Sequence, residues 1–411
     1  MVVLTVVMSR LGTHAGAEGT LGDFCRAALD HGHHCQVVIG RSTRSQRKKL
    51  QSALREHARD RGKVSVFSSW RVVDFRVARG VSAQDFSKRR QLPWSSIRFL
   101  LQPMRWNVRL RLRRSTHVIT GKVLTQRGEH ELRDLCPRAT NILNHNGEPT
   151  DFFEQWGKSQ LGTKNNLSRR AHEGYAASLE VFDRFLFQST DQKTAFVQLA
   201  PRHEIRSLVI WPSCDEKAVR RNAQLPNPLP PEKFNVVCVA KFQKNKGQLK
   251  LLEAFRVVRA SLPEAHLSFV GGSIRDRSYF NECKALAEDP KLAGHVTFFG
   301  PRTDAPSFIA HCDIFVLVSR GEGVSRSIRE AAFLEKPIVA HRADGTLSFL
   351  TEAGAFYPDS DQSADIGQSI LRAAQGPQAL EDVSRVAGGR YQSLATWAKF
   401  SSSVHDLLTE S

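Results

Sequence analysis

Two glutamates eight positions apart are the first residues in this chain whose type and spacing could do chemistry. Glu322 lies between Gly321 and Gly323, and Glu330 falls inside a stretch whose apolar periodicity predicts a helix over Ser325–Phe333. Eight helical steps turn through about 800°, roughly 80° beyond two full turns, so the two carboxylates can face broadly one side. The run Gly323-Val324-Ser325-Arg326 then supplies the helix N-terminus, whose first N–H groups suit an anion. A carboxylate accepts hydrogen bonds from vicinal hydroxyls, which suits a sugar or a ribose. Spacing alone allows equally for two solvated glutamates beside a helix start. A second candidate is the run from Ala240 to Gly247, where Lys241 and Lys246 follow a predicted strand. Two cations so placed can clamp a diphosphate and stabilise it as it leaves, each charge-assisted contact being worth roughly 1.5–3 kcal/mol. The plainer alternative is a lysine-rich surface loop.

The elements that must position these residues are mostly parallel strands. Val2–Met8 is a β-branched apolar run, as expected of a strand buried on both faces, and a glycine turn at 12–16 leads into a helix over Ala17–Leu29. Further strands are expected at Gln36–Ile39, Lys63–Phe67, His117–Ile119, Asn141–Leu143, Phe185–Gln188 and Ser207–Ile210. Asn222 to Pro231 holds four prolines and reads as a linker. The pattern then restarts, with strands at Asn235–Val239, His266–Val270, Val296–Phe299, Ile314–Val318 and Pro337–Ala340, and helices at Gln248–Ser261 and Ser325–Phe333. Such alternation twice over predicts an α/β chain of two Rossmann-like domains facing a cleft, 1–215 and 216–390, and ligands in such folds bind at the carboxyl ends of the strands. A last helix is expected over Tyr391–Leu408, within a terminal segment 391–411. Asp359-Ser360-Asp361 has a D-x-D look but falls in a polar loop, where solvated acids are expected.

The run Ser319–Pro337 resembles the donor-binding signature of the retaining family-4 glycosyltransferases, P-S-x-x-E-G-x-P-x-x-x-x-E-A-x-x-x-G-x-P. Ser319, Glu322, Gly323, Glu330, Ala331 and Pro337 fall on it in register, while Val318, Val324-Ser325 and Glu335 depart from it. The lysine loop is similar to the family's G-R-x-x-x-x-K-G, with Lys241 where the family has Arg; that keeps the charge and loses the bidentate fork. Phe298-Phe299-Gly300-Pro301-Arg302 resembles the F-x-G loop along the nucleobase, and Asp313-Ile314-Phe315-Val316 the D-x-F-V strand before the motif. Ala15-Gly16-Ala17-Glu18 is similar to the opening G-G-A-E, and Asn144-His145-Asn146-Gly147 to the strand-end His that meets the reacting sugar through ring or backbone.

The resemblance implies the GT-B fold, with the 391–411 helix crossing back onto the first domain. It implies transfer of a hexose or N-acetylhexosamine from a nucleoside-diphosphate sugar, with retention, to a lipid-linked or polymeric surface-glycan acceptor. Lys241, Lys246, Glu322 and His145 would then be catalytic. Gly16, Lys241, Lys246, Gly300, Arg302, Glu322, Gly323, Val324, Ser325, Arg326 and Glu330 would hold the donor. The nucleotide sugar is a co-substrate, and no cofactor or dedicated metal is expected. The closest alternatives are a sugar-nucleotide epimerase of the same fold and a basic nucleic-acid-binding protein, the latter leaving the lysine and glutamate constellation idle. A nicotinamide oxidoreductase fits poorly, since Gly12, Gly16 and Gly19 do not make G-x-G-x-x-G.

A formal net charge of +18 implies an anionic partner. From Lys88 to Arg114 nine basic residues, with no acid among them, alternate with Trp94, Phe99, Trp106 and aliphatic residues. That mixture suits an interfacial segment on an anionic membrane, or else a basic solvated face over a core. No nucleic-acid partner is expected. No window approaches the roughly 20 apolar residues of a membrane span, and Met1–Met8 reads as a buried strand rather than a signal peptide. Seven scattered cysteines argue for reduced thiols, hence a cytoplasmic protein, with peripheral attachment to the inner face of the plasma membrane through 88–114 as the accompanying expectation.

Overall fold

The computed structural model describes residues 2–10, 16–41, 44–58, 62–68, 112–121, 136–145, 179–273, 276–320 and 323–410. Glu322, the turn at 12–15, Asn146-Gly147 and the basic stretch from 88 to 111 lie outside the described residues. The chain divides into two compact units, Met1–Ile210 with Phe400–Ser411, and Trp211–Lys399.

The first unit is built on a seven-stranded sheet, β1 (Val3–Arg10), β2 (His34–Arg41), β3 (Val64–Ser68), β4 (His117–Thr120), β5 (Thr140–Asn144), β6 (Arg184–Phe187) and β7 (Ser207–Val209), in the order β3-β2-β1-β4-β5-β6-β7. Every pairing is parallel. Helices α1 (Gly16–Asp30) and α2 (Arg44–Ala58) alternate with the first strands, and α3 (Thr190–Leu199) follows β6. Leu4, Val6, Val37, Ile39, Ile119 and Ile142 are almost wholly buried, which is why these strands read as continuous apolar runs rather than alternating ones. The polar exception inside β1 is satisfied: the Thr5 and Ser115 hydroxyls meet at 2.6 Å.

The second unit holds β8 (Phe234–Val239), β9 (Ala265–Val270), β10 (Val296–Gly300), β11 (Ile314–Leu317) and β12 (Ile338–Ala340), all parallel, in the order β10-β9-β8-β11-β12. Its helices are α4 (Glu216–Ala223), α5 (Gln248–Ser261), α6 (Arg277–Ala287), α7 (Ala305–His311), α8 (Arg326–Phe333), α9 (Asp344–Leu350), α10 (Ser363–Gln375) and α11 (Pro377–Leu394), and α12 (Trp397–Thr409) runs out of it. One continuous core joins β8, β9 and β11 to α5, α8 and α10 through Val236, Leu251, Phe255, Phe315, Ala331 and Ile370.

Two sequence expectations differ from the structure. The proline-rich stretch is not a joint between the units; it links α4 to β8 within the second, with Leu229 buried and its N–H donated to Asn227 Oδ1 at 2.9 Å. The prolines stop α4 and deliver the chain to β8. The terminal helix is two helices, broken at Ala395-Thr396. Glu216 draws the break together, its Oε1 accepting from Tyr391 Oη at 2.9 Å and from the Trp397 N–H at 2.8 Å. From Phe400 onward α12 belongs to the first unit, where Phe400 packs edge-on to Phe24 of α1, centroids 5.3 Å apart. Among the described residues no helix is long and apolar enough to cross a membrane.

Candidate functional site

In the second sheet the chain winds outward from β8 through β9 to β10, then returns to the other side of β8 for β11 and β12. The reversal between β8 and β11 is a topological switch point, the place where open α/β sheets bind their ligands. The loop after β8 carries Lys241 and Lys246; the loop after β11 carries Ser319 to Ser325. The two loops touch. Gly247 has φ 71°, ends the short 3-10 turn Lys244–Lys246 and begins α5; a Cβ there would stand 2.6 Å from the Val318 carbonyl oxygen. Only glycine meets both demands without strain. The Arg320 N–H, in turn, donates to the Asn245 carbonyl at 2.8 Å.

The neighbouring strand ends stiffen this edge. A Cβ on Gly271 would lie 1.8 Å from the Ala240 carbonyl oxygen, and the N–H groups of Phe242 and Gly271 donate to the carbonyls of Gly272 at 3.0 Å and Gly300 at 2.8 Å. Gln248 Nε2 donates to the Lys241 carbonyl at 2.8 Å, so the backbone under the first lysine is held from α5. Lys246 is partly buried, and burial draws its ammonium down to about 8, the Cys238 thiol opposing the shift and the nearby Lys241 charge adding to it. The second lysine therefore keeps most of its charge at neutral pH in a poorly hydrated place, where a phosphate oxygen gains more than it would in water.

Gly323 and Val324 are buried, and Gly345 of α9 packs so closely on Gly323 that a Cβ would come within 2.6 Å of its backbone. Ser325 is the N-cap of α8 without a side-chain capping bond, its hydroxyl meeting that of Ser327 at 3.2 Å. Arg326 opens the helix and Glu330 sits one turn on, half-buried. Burial drives the Cys214 thiol up to about 12; the Tyr391 hydroxyl opposes this and the Glu330 carboxylate adds to it. Arg329, buried next to Glu330, donates to the Ser213 carbonyl and pins α8 to the chain there. The helix ends at Leu334, and Glu335 follows with φ 51°, the left-handed conformation for which the family signature supplies glycine.

The other nominated residues lie on other elements. Gly300 closes β10 with φ 68°, and Arg302 beyond it is exposed, its guanidinium held by Asp304 through Nε–Oδ1 at 2.8 Å and Nη2–Oδ2 at 2.6 Å. Gly16 is the first residue of α1, and His145 directly follows β5, both in the first unit. The His145 ring is wholly buried, stacked on Phe187 with centroids 4.8 Å apart and tilted against Phe196 at 5.2 Å. Burial lowers its pKa to about 3, so the ring is neutral, and the main-chain N–H of His145 donates to the Leu186 carbonyl at 2.8 Å.

Sequence reading missed a cluster at the same edge. Asp361, expected to be solvated, accepts from Lys250 Nζ at 2.7 Å and from His341 Nε2 at 3.0 Å, and it pairs with Arg320. Burial lowers the His341 pKa, with the Arg320 and Lys250 charges adding to the shift. These four residues come from four separate segments, so no local spacing links them; the D-x-D look was the only sign.

Residues 233–375 match the family Glycosyl transferases group 1. A GDP-mannose-dependent alpha-(1-6)-phosphatidylinositol monomannoside mannosyltransferase of Mycobacterium tuberculosis is 29% identical over 238 residues, 55% of this chain and 53% of that protein. A lipopolysaccharide core biosynthesis glycosyltransferase, LpsD of Rhizobium meliloti, is 29% identical over 161 residues, 39% of this chain and 44% of that one. The chain thus spans about half the length, or less, of these curated relatives. Among solved structures, Anabaena HepE in complex with UDP-glucose superposes with a TM-score of 0.72 at 17% identity, covering 99% of both chains. WaaG, a glycosyltransferase involved in lipopolysaccharide biosynthesis, gives a TM-score of 0.66 at 13% identity, covering 99% of this chain and 100% of that one. At such identities the likeness speaks to the fold, which is GT-B.

Proposed function

Because its second unit carries a group 1 glycosyltransferase domain, we propose that this chain moves a hexose or N-acetylhexosamine from a nucleoside-diphosphate sugar to a lipid-linked or polymeric surface-glycan acceptor, with retention of configuration. The observation that carries the reading is the pairing at the β8/β11 switch point of a charged, partly desolvated Lys246 with the loop that opens α8. In this reading Lys241 and Lys246 hold the diphosphate and stabilise it as the glycosidic C–O bond breaks. The departing phosphate oxygen takes the acceptor hydroxyl proton, so the protein's own part is charge stabilisation. Amides around Gly323–Arg326 and at Gly16 complete the cradle. Glu330 accepts from the ribose hydroxyls and Glu322 from those of the donor sugar. Gly300 and Arg302 flank the base, for which Arg302 must give up part of its pairing with Asp304. His145 takes part through its backbone, because its ring is enclosed between Phe187 and Phe196. The reading needs no dedicated metal and assigns the work to the cytoplasmic face of a membrane, with the basic residues of 88–114 as the attraction to anionic lipid.

The relatives support the class: one uses a GDP-mannose donor and a lipid acceptor, another acts in lipopolysaccharide core synthesis, and a structural neighbour holds UDP-glucose. The test is a panel of UDP-, GDP- and ADP-sugars assayed for nucleoside diphosphate release with and without lipid-linked acceptors. Acceptor-dependent release from one donor, lost in Glu330→Ala, is the expected result. A change of the donor sugar with no acceptor present would identify an epimerase instead.

A further inference from the structure

Asp361, just before α10, joins three segments that the sequence keeps far apart. Its Oδ2 and its main-chain carbonyl both accept from Lys250 Nζ of α5, at 2.7 and 3.0 Å. Its Oδ1 accepts from His341 Nε2, beyond β12, at 3.0 Å and from Arg320 Nε, beyond β11, at 3.2 Å. Arg320 is thereby held at both ends, by Asp361 through its side chain and by the lysine loop through its N–H to the Asn245 carbonyl at 2.8 Å. It stands two residues before Glu322, and Asn245 is next to Lys246.

Two like charges, Lys250 and Arg320, share this one carboxylate. Beside them lies a cavity of about 330 Å³, lined by Lys244, Asn245, Lys250, Tyr279, Arg320 and Asp361. Without the carboxylate the cations repel, and the cavity gives Arg320 room to swing away. Release of Arg320 frees the chain segment that leads to the glutamate motif from the loop that carries the lysines.

We propose that Asp361 is a positioning residue for the donor site, acting through Arg320 to hold the chain leaving β11 against the lysine loop. This rests on the nucleotide-sugar reading above. Asp361 itself touches no substrate in this account; its effect is to present the diphosphate-binding groups in one arrangement, so that less affinity is lost to ordering them on binding.

Titration calorimetry with UDP, GDP and ADP on the full chain tests it. The wild-type protein is measured first; if it binds none of the three, the nucleotide-sugar reading falls and this proposal with it. With a binding nucleotide in hand, Asp361→Asn is expected to weaken its Kd about tenfold with little change in melting temperature. Asp361→Glu should recover most of that loss. The double variant Asp361→Asn/Arg320→Ala should bind no more weakly than Arg320→Ala alone, because the two residues act in one chain of contacts. Additive losses, or an unchanged Kd in Asp361→Asn beside a binding wild type, overturn the positioning role and leave the nucleotide-sugar reading standing. Arg320→Lys, which keeps the charge without the fork, provides a second variant should Asp361→Asn not fold: about threefold weaker binding is expected, and unaltered binding overturns the proposal.

Discussion

Each unit puts a basic residue beyond the carboxyl end of a parallel strand, and burial lowers both pKa values with opposite outcomes for charge. His145, directly after β5, sits wholly inside an aromatic cluster and titrates at about 3. Lys246, in the loop after β8, is only partly buried and titrates at about 8. Both shifts have desolvation as their largest cause, yet one group is neutral at physiological pH and the other is mostly charged. The difference lies in the starting pKa and in the depth of burial: a lysine can lose more than two units and remain a cation, whereas a histidine cannot. In the first unit the strand-end imidazole is given to packing, whereas in the second the ammonium keeps its charge.

This contrast can be broken or sharpened by substitution. The largest effect is expected from Lys246→Ala, which should weaken nucleoside diphosphate binding by about 10–100-fold, the worth of one charge-assisted contact; calorimetry reads it directly. His145→Ala should do the reverse, costing about 2–3 kcal/mol of stability in a denaturant titration by opening a cavity between Phe187 and Phe196 while nucleoside diphosphate affinity stays within about twofold. A large loss of affinity there would show that the two strand ends are not so different. The pH dependence comes next. Lys246 must be protonated to hold a diphosphate, so affinity is fullest below about 8 and falls as the pH rises through that value. Between pH 7 and pH 9 the protonated fraction drops about tenfold, and the Kd should weaken by the same factor, with proton uptake on binding near pH 8. Lys246→Arg should flatten that profile. The smallest effect concerns the helix that carries Glu330. Glu335, at φ 51°, should gain about 1 kcal/mol of stability on replacement by glycine, seen as a higher melting temperature. No gain would mean that the Glu335 side chain compensates through its packing against Gly388.

Much of the second unit was legible because its information is local. A strand buried on both faces reads as an apolar run, Gly300 marks a left-handed turn at a strand end, and α8 announces itself by periodicity. Even the Glu335 departure from the signature pointed to a real feature of the backbone. What escaped depends on segments far apart in sequence. Glu216 breaks the terminal helix from 181 residues away, and Asp361 gathers Lys250 of α5, Arg320 beyond β11 and His341 beyond β12. His145 has asparagine and glycine neighbours that look like an open loop, while the rings that enclose it come from β6 and α3. Periodicity reports which face of an element is buried, but it does not report which distant side chain completes a charge or fills a core.

The central claim is that the β8/β11 edge of the second unit holds the diphosphate of a nucleotide sugar through Lys246. Calorimetric titration of UDP, GDP and ADP into the wild-type chain and into Lys246→Ala, at pH 7 and low salt, tests it most directly. The account predicts that one of the three binds the wild type in the micromolar range and that the variant binds it at least about tenfold more weakly. Equal affinity in the two proteins, or no binding of any of the three to the wild type, would contradict it.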